Sequence, residues 1–362
     1  MDARYRAPFN AAYGEDVYRR YLADFFRRCG CMTDMQIAQT PVFLPEELRR
    51  RCERAGAEIL AQLSDPKRIA RMRSAIPERW NAPGESSLPS FGVLDFAITL
   101  GEDGALTPKL VELQGFPTLI AYETMQRDAW NETLQAIPGL DLDWTCWFSG
   151  LDRDQFLALA GRVILGERSP SEVILMDLDP PSQKTSPDFT ATRRLFGVDS
   201  VCATALTKRG RKLFRRDDDG KEIPVERIYN RLIVDEIERK HIELPFDFRD
   251  ELDVEWTPHP NWFWTWSKYS LPFLDHSAVP RATFLSQLAE LPANVTEELV
   301  SERYVLKPLF SFAGAGVNVS PSVGDVAAVP PDERNQWCLQ EKIEYAPVVR
   351  AADGGGVKVE LR

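Results

Sequence analysis

The sequence predicts a mixed α+β chain that also contains a small α/β unit. Three observations predict it. Apolar residues recur at helical spacing through residues 11–75. Two apolar stretches, 91–100 and 110–113, flank the turn Glu102-Asp103-Gly104 and read as paired strands. Residues 173–178, 189–196 and 198–201 read as strand, helix and strand, which implies a small parallel sheet.

The elements follow in order. Val17-Tyr18, Tyr21-Leu22 and Phe25-Phe26 mark one apolar helix face. Pro45-Glu46-Glu47 reads as a helix start, with proline in the first turn and acids at the positive end of the dipole. Residues 58–63 continue that helical pattern, and 77–89, rich in Pro, Gly and Ser, read as loop. Residues 118–137 and 157–165 are expected to be helices. The strand 173–178 ends in Asp-Pro-Pro, and 225–234 is expected to be a further strand carrying Tyr229-Asn230-Arg231. Residues 258–266 are aromatic-rich, 268–274 begin a helix or turn, and 283–291 are expected to be helical. A strand then runs into Lys307, followed by a small-residue loop, 311–316, and a second apolar strand, 317–319.

Composition narrows the function. The 362 residues are 44% apolar and 27% charged, as in a soluble globular protein with two or three domains. A net charge of −11 disfavours nucleic acid as a partner. The basic clusters Arg49-Arg50-Arg51 and 209–216 are flanked by acids and read as solvated faces. No apolar run approaches the ~20 residues that span a bilayer, so no membrane partner is expected. The N-terminus lacks a signal-peptide core, and a reducing cytoplasm is the expected setting. Six scattered cysteines include Cys29-Gly30-Cys31, which has neither zinc spacing nor a second pair. Three dispersed histidines, His241, His259 and His276, disfavour histidine-based metal or triad chemistry.

Several groups stand out as candidate chemistry. Lys307 is a point charge at a strand end. The loop after it, with Ser311, Gly314 and Gly316, can bring backbone N–H groups to an anion, which suits a nucleotide polyphosphate. It lacks the Gly-Lys-Ser/Thr of a Walker loop. Asp95 lies inside an apolar strand, where an unpaired charge is costly. Glu112 and Gln114, two apart, share a face of the neighbouring strand. The three are either hard-oxygen ligands for Mg²⁺ or a polar stripe on a hairpin. Lys268, beside Trp262-Phe263-Trp264-Thr265-Trp266, either meets a phosphate or lays its stem on apolar surface. Gln340-Glu341 either offers groups to an adenine edge or ends an ordinary strand. Glu360 and Arg362, on one face with Lys358, either hold metal and a transferring phosphoryl group or form an exposed edge. Arg231 either recognises a carboxylate or pairs with Asp235 or Glu236.

Together these pieces resemble the ATP-grasp superfamily, and in particular its circularly ordered glutathionylspermidine synthase branch. The resemblance covers about 90–130 and 262–345. It rests on Leu94-Asp95-Phe96 and on Leu110-Val111-Glu112-Leu113-Gln114-Gly115-Phe116-Pro117-Thr118-Leu119, with Trp130 downstream. It continues through Ser267-Lys268-Tyr269-Ser270-Leu271-Pro272-Phe273-Leu274, the lysine–glycine loop, and Leu339-Gln340-Glu341-Lys342. The resemblance implies an ATP-grasp fold with a helical N-terminal part and a small parallel-sheet, pre-ATP-grasp-like subdomain. It implies Mg²⁺ on Asp95, Glu112 and Gln114, where the family more often has Asn at the third position. It implies ATP on Lys268, Lys307, Gly314, Gly316, Gln340 and Glu341. Val93 stands where the family has an arginine.

The expected organisation is a helical part, 1–165, holding the hairpin 91–115; a small α/β substrate-side subdomain, 166–257; and an ATP-binding subdomain, 258–362. Arg362 comes early for such a subdomain, so the expectation is either a minimal domain or one whose C-terminal piece is absent from this sequence. The resemblance implies an ATP- and Mg²⁺-dependent carboxylate–amine ligase working through an acylphosphate. Only the synthetase half is implied, since no amidase domain precedes it. In that reading Ser311, Gly314 and Gly316 cover the phosphates, Arg231 and Arg362 act on substrate and phosphoryl group, and Glu360 joins the metal ligands. The substrates would be a small-molecule carboxylate and an amine, peptide-like ones among them. The alternative is a catalytically inactive nucleotide-binding or scaffolding protein of the same fold. A third reading is a plain α/β binding module for an acidic metabolite.

Overall fold

The computed structural model describes residues 2–140, 144–288, 302–311, 314–351 and 354–362. It is a mixed structure, 40% helical and 19% strand, as an α+β sequence requires. The N-terminal helical pattern forms α1 (Ala3–Ala12), α2 (Glu15–Cys29), α3 (Glu46–Leu63) and α4 (Pro66–Met72). Helix α2 shows why. Val17, Tyr21, Phe25 and Cys29 recur every fourth position and are buried. Glu15 and Asp16 sit in its first turn and Arg27 and Arg28 in its last, each matched to the dipole.

The paired strands are β1 (Val93–Leu100) and β2 (Leu106–Gln114), followed by α5 (Ile120–Gln135) and α6 (Arg153–Leu165). The start of α6 is a capping box between Asp152 and Gln155, a device worth about 1 kcal/mol. Next come β3 (Val173–Asp177), α7 (Ser186–Phe196) and β4 (Asp199–Cys202), then β5 (Thr207–Arg209), β6 (Lys212–Arg216) and β7 (Glu222–Val225). The chain continues with β8 (Arg227–Asn230), α8 (Val234–Arg239), β9 (Glu255–Thr257), α9 (Trp262–Thr265), β10 (Ala282–Phe284) and β11 (Tyr304–Pro308). It closes with α10 (Val323–Ala328), β12 (Trp337–Glu341), β13 (Val349–Arg350), β14 (Gly356–Val357) and β15 (Glu360–Leu361).

Three expectations need correction. Residues 225–234 are not one strand. The Asn230 side chain accepts a hydrogen bond from Leu232 N, which ends β8, and Asp235 and Glu236 open α8 with acids in its first turn. Of the helix expected over 283–291, residues 283 and 284 belong to a strand, because Ala282, Thr283 and Phe284 pair with Gln340, Leu339 and Cys338; Leu285–Gln287 form a 3₁₀ turn, and positions 289–291 lie outside the described residues. Residues 317–319 make one bridge, Leu306 to Asn318, instead of a strand. Lys268 heads a 3₁₀ turn, Lys268–Phe273.

Two compact units interleave along the chain. The first comprises Met1–Phe43, Asn81–Ser90 and Pro117–Pro260. Its sheet runs β4-β3-β8-β9 with every pair parallel, as the strand–helix–strand pattern predicts. A separate antiparallel sheet, β5-β6-β7, accompanies it. One core of this unit gathers Phe9, Val17, Phe43, Leu134, Ile137 and Leu140.

The second unit comprises Leu44–Trp80, Phe91–Phe116 and Asn261–Arg362. Here β1 and β2 form an antiparallel hairpin, with β15 on the other edge of β1. A second sheet runs β10-β12-β11. Its Leu306 and Leu339 face packs on Leu285, Val326 and Val329. Leu110 and Leu113 of the hairpin bury against Ile59, Met72, Trp262 and Trp266. Gly115 permits that approach: a Cβ there would stand 2.8 Å from the Trp262 carbonyl oxygen and from the Trp266 Cβ.

Candidate nucleotide and metal site

The site lies within the second unit and begins with strand register. Asp95 stands directly opposite Glu112, and Val93 opposite Gln114. Directly opposed residues project to one face, and Glu112 and Gln114 share it by alternation. The hairpin therefore presents all three oxygen-bearing side chains on one side. A bulge between Asp95 and Phe96 follows, a place where strands re-aim side chains. Strand β15 adds Glu360 opposite Ala97, which brings Arg362 beside Asp95.

Two lysines reach the hairpin. Lys268, 3% exposed, bonds Glu112 Oε1 at 3.1 Å and donates to the Ser311 carbonyl. Lys307, 7% exposed, donates to the Val111 carbonyl at 3.2 Å. Among the described residues no carboxylate comes within ion-pair distance of the Lys307 ammonium. Burial therefore pulls its pKa below the ordinary lysine value, aided by Lys268 and opposed by Cys338, Glu112 and Glu360. An ammonium carries three donors, and among the described residues this one finds one acceptor, the Val111 carbonyl.

The register Lys307–Cys338 and Val305–Gln340 sets Lys307, Cys338 and Gln340 on one face of the second sheet. Burial raises the Cys338 thiol to about 11, with Lys307 pulling the other way. Gln340 is 1% exposed, and neither amide atom finds a hydrogen-bond partner among the described residues. An unmatched buried amide costs about 1–3 kcal/mol per polar group, so it asks for a ligand or water. Gln114 likewise leaves Oε1 buried and unmatched. The narrow cleft between Glu112, Gln114, Lys268 and Ser311 encloses ≈ 10 Å³, room for about one water.

The other expected residues fall as follows. Gly314 and Gly316 both take left-handed φ, +72° and +73°, in the turn beyond Ser311; Phe312 and Ala313 lie outside the described residues. Glu341 faces away from Gln340, exposed, and its carboxylate accepts from Arg281 N. Glu360 is exposed and its carboxylate accepts from the Tyr345 hydroxyl. Arg362 forks onto Asp95, Nε to Oδ1 at 2.8 Å and Nη2 to Oδ2 at 2.9 Å. Arg231 belongs to the first unit, buried and ion-paired with Asp188. The partner is Asp188 rather than Asp235 or Glu236, and that carboxylate takes the place expected for a substrate's. Asp188 also accepts from Ala121 N and Tyr122 N, capping the start of α5. Its signal was Ser186-Pro187-Asp188, a helix-start pattern that conceals a long-range pair.

Whether Mg²⁺ fits can be judged from the donors. Among the described residues no three of His, Cys, Asp and Glu gather as metal ligands. Mg²⁺ usually takes one or two carboxylates and keeps several waters, and Asp95, Glu112 and the unmatched Gln114 oxygen supply such a set. The residues fit, with Arg362 and Lys268 at present neutralising the two acids.

No protein-family model and no curated protein matches the chain. A solved structure does. A glutathione synthetase-like effector (GSS30) from Globodera pallida, in its apo form, aligns over 94% of this chain and 84% of that one, with a TM-score of 0.54 at 12% identity. The fold is glutathione synthetase-like. At that identity the likeness is one of fold. On this glutathione synthetase-like fold no described helix is long and apolar enough to cross a membrane.

Proposed function

We propose that this chain is an ATP- and Mg²⁺-dependent ligase joining a carboxylate to an amine through an acylphosphate. One observation carries the reading: Lys307 is a buried ammonium with one acceptor among the described residues, beside a hairpin whose one face bears Asp95, Glu112 and Gln114. Lys307 and Lys268 hold the phosphates, and Gln340 meets the base with its unmatched amide. Asp95, Glu112 and Gln114 hold Mg²⁺, which when bound neutralises charge on the phosphate oxygens. The substrate carboxylate attacks the terminal phosphorus and ADP leaves. The amine then attacks the acyl carbon and phosphate leaves. No protein nucleophile is needed; positioning and charge neutralisation carry the rate. Arg231 is not assigned to the substrate, because Asp188 already holds it.

A second reading, a nucleotide-binding protein of this fold without catalysis, is favoured by the Arg362–Asp95 fork, which occupies both oxygens of one proposed ligand. Calorimetric titration of ATP with and without Mg²⁺, on wild type and Lys307→Ala, tests the site. Mg²⁺-dependent binding lost in the variant is expected; unchanged binding in Lys307→Ala overturns the assignment. ADP release with a panel of acids and amines then separates ligase from binder.

A further inference from the structure

We propose that Cys29 and Cys31 form a reversible disulfide, which makes the end of α2 a thiol-modification site. The two sulfurs lie 3.5 Å apart, and both thiols are free. The fold sets this pairing. Helix α2 ends at Cys29, and Gly30 turns the chain with φ +82°. Glycine suits that position, and a side chain there would displace Arg194. The left-handed region favours it, and a Cβ would stand 2.2 Å from the Arg194 guanidinium carbon. That guanidinium donates to the Arg27 and Arg28 carbonyls at 2.9 Å each, holding the last turn of α2 in place.

The two thiols are inequivalent. Cys29 is buried, and its Sγ donates to the Pro187 carbonyl at 3.4 Å. Burial, then the neighbouring Cys31, pushes its pKa up to about 12. Cys31 is partly exposed. Exchange therefore begins at Cys31, since the accessible thiolate is the nucleophile. The Cys31 thiolate attacks one sulfur of glutathione disulfide and releases a glutathione thiolate. Cys29 passes its proton to a leaving glutathione thiolate, attacks the Cys31 sulfur and displaces the second glutathione. Two protein thiols become one disulfide, and one glutathione disulfide becomes two thiols. Oxidation also removes the S–H donor from the Pro187 carbonyl, next to Asp188 at the head of α7.

The full chain is equilibrated in glutathione buffers from reducing to oxidising, quenched in acid, alkylated and digested with trypsin. Cleavage after Arg28 and Arg49 leaves both cysteines on one peptide. The expected product is that peptide unalkylated and lighter by two hydrogens, restored to the alkylated form by dithiothreitol. Cys52→Ser should retain it and Cys31→Ser should lose it. The wild-type measurement needs no variant, so misfolding of a mutant cannot mask the answer. Alkylation of both cysteines at every buffer ratio overturns the proposal, and so does a product carrying only bound glutathione.

Discussion

The Arg362 guanidinium lies across the Asp95 carboxylate with two parallel hydrogen bonds, 2.8 and 2.9 Å. Asp95 is 7% exposed, so this fork neutralises a charge that water barely reaches. The same carboxylate is a proposed Mg²⁺ ligand. Arg362 and a divalent cation therefore offer alternative neutralisation of one buried acid.

Arg362→Ala should destabilise the chain by about 1–3 kcal/mol, the range for a lost hydrogen bond to a charged group. Added Mg²⁺ should restore much of that loss, and more in the variant than in wild type. Thermal melts across a Mg²⁺ series measure it. A loss that Mg²⁺ leaves untouched would show that Asp95 is structural.

Lys307→Met should raise stability while abolishing nucleotide binding. The ammonium is buried with a carbonyl as its bonded partner, and a thioether of similar length avoids its desolvation. Urea unfolding paired with ATP calorimetry reads both effects. A large fall in stability would instead make Lys307 a structural cation.

Asp188→Ala should cost about 3–5 kcal/mol, the range for leaving a buried partner charge unpaired. It strands the Arg231 guanidinium and uncaps α5 at Ala121 and Tyr122. Replacing both, Asp188→Leu with Arg231→Met, should recover part of the loss. Denaturant midpoints at constant slope give the comparison.

Asp177 predicts a pH dependence. Burial raises its carboxyl from 3.8 to about 7, with Leu178 N and Arg231 opposing. A raised acid favours the folded state while protonated. Its contribution is therefore full below the unfolded value and is lost as pH climbs through about 7. The shift corresponds to at most about 4 kcal/mol. Asp177→Asn should flatten the decline in stability between about pH 4 and 7 and be the more stable form at pH 8. Equal slopes for both proteins over that window would refute it.

Much of the site was legible because it is written in short strands. The period of two puts Glu112 and Gln114 on one face from sequence alone, and an apolar run around Asp95 marks a charge that needs a partner. Lys268, Lys307 and Gln340 were legible as candidates from their local sequence. The partners were not legible. Nothing near Asp95 in the chain points to Arg362, and nothing near Arg231 points to Asp188. The strand at 282–284 was missed for the same reason, since its pairing with 338–340 is made across more than fifty residues.

The sequence by itself determined the helices α2, α3, α5, α6 and α7, the acid-led start of α3, the hairpin at 93–114 and the strand–helix–strand unit. These depend on periodicity and on residues within a few positions of each other. Tertiary structure alone decided the rest. It divided the chain into interleaved units, set Arg362 over Asp95, left Lys307 without a carboxylate partner among the described residues and brought Cys29 against Cys31 behind the Arg194 clamp. Those outcomes depend on which distant backbones pair and which side chains lose water together, and no local pattern encodes either.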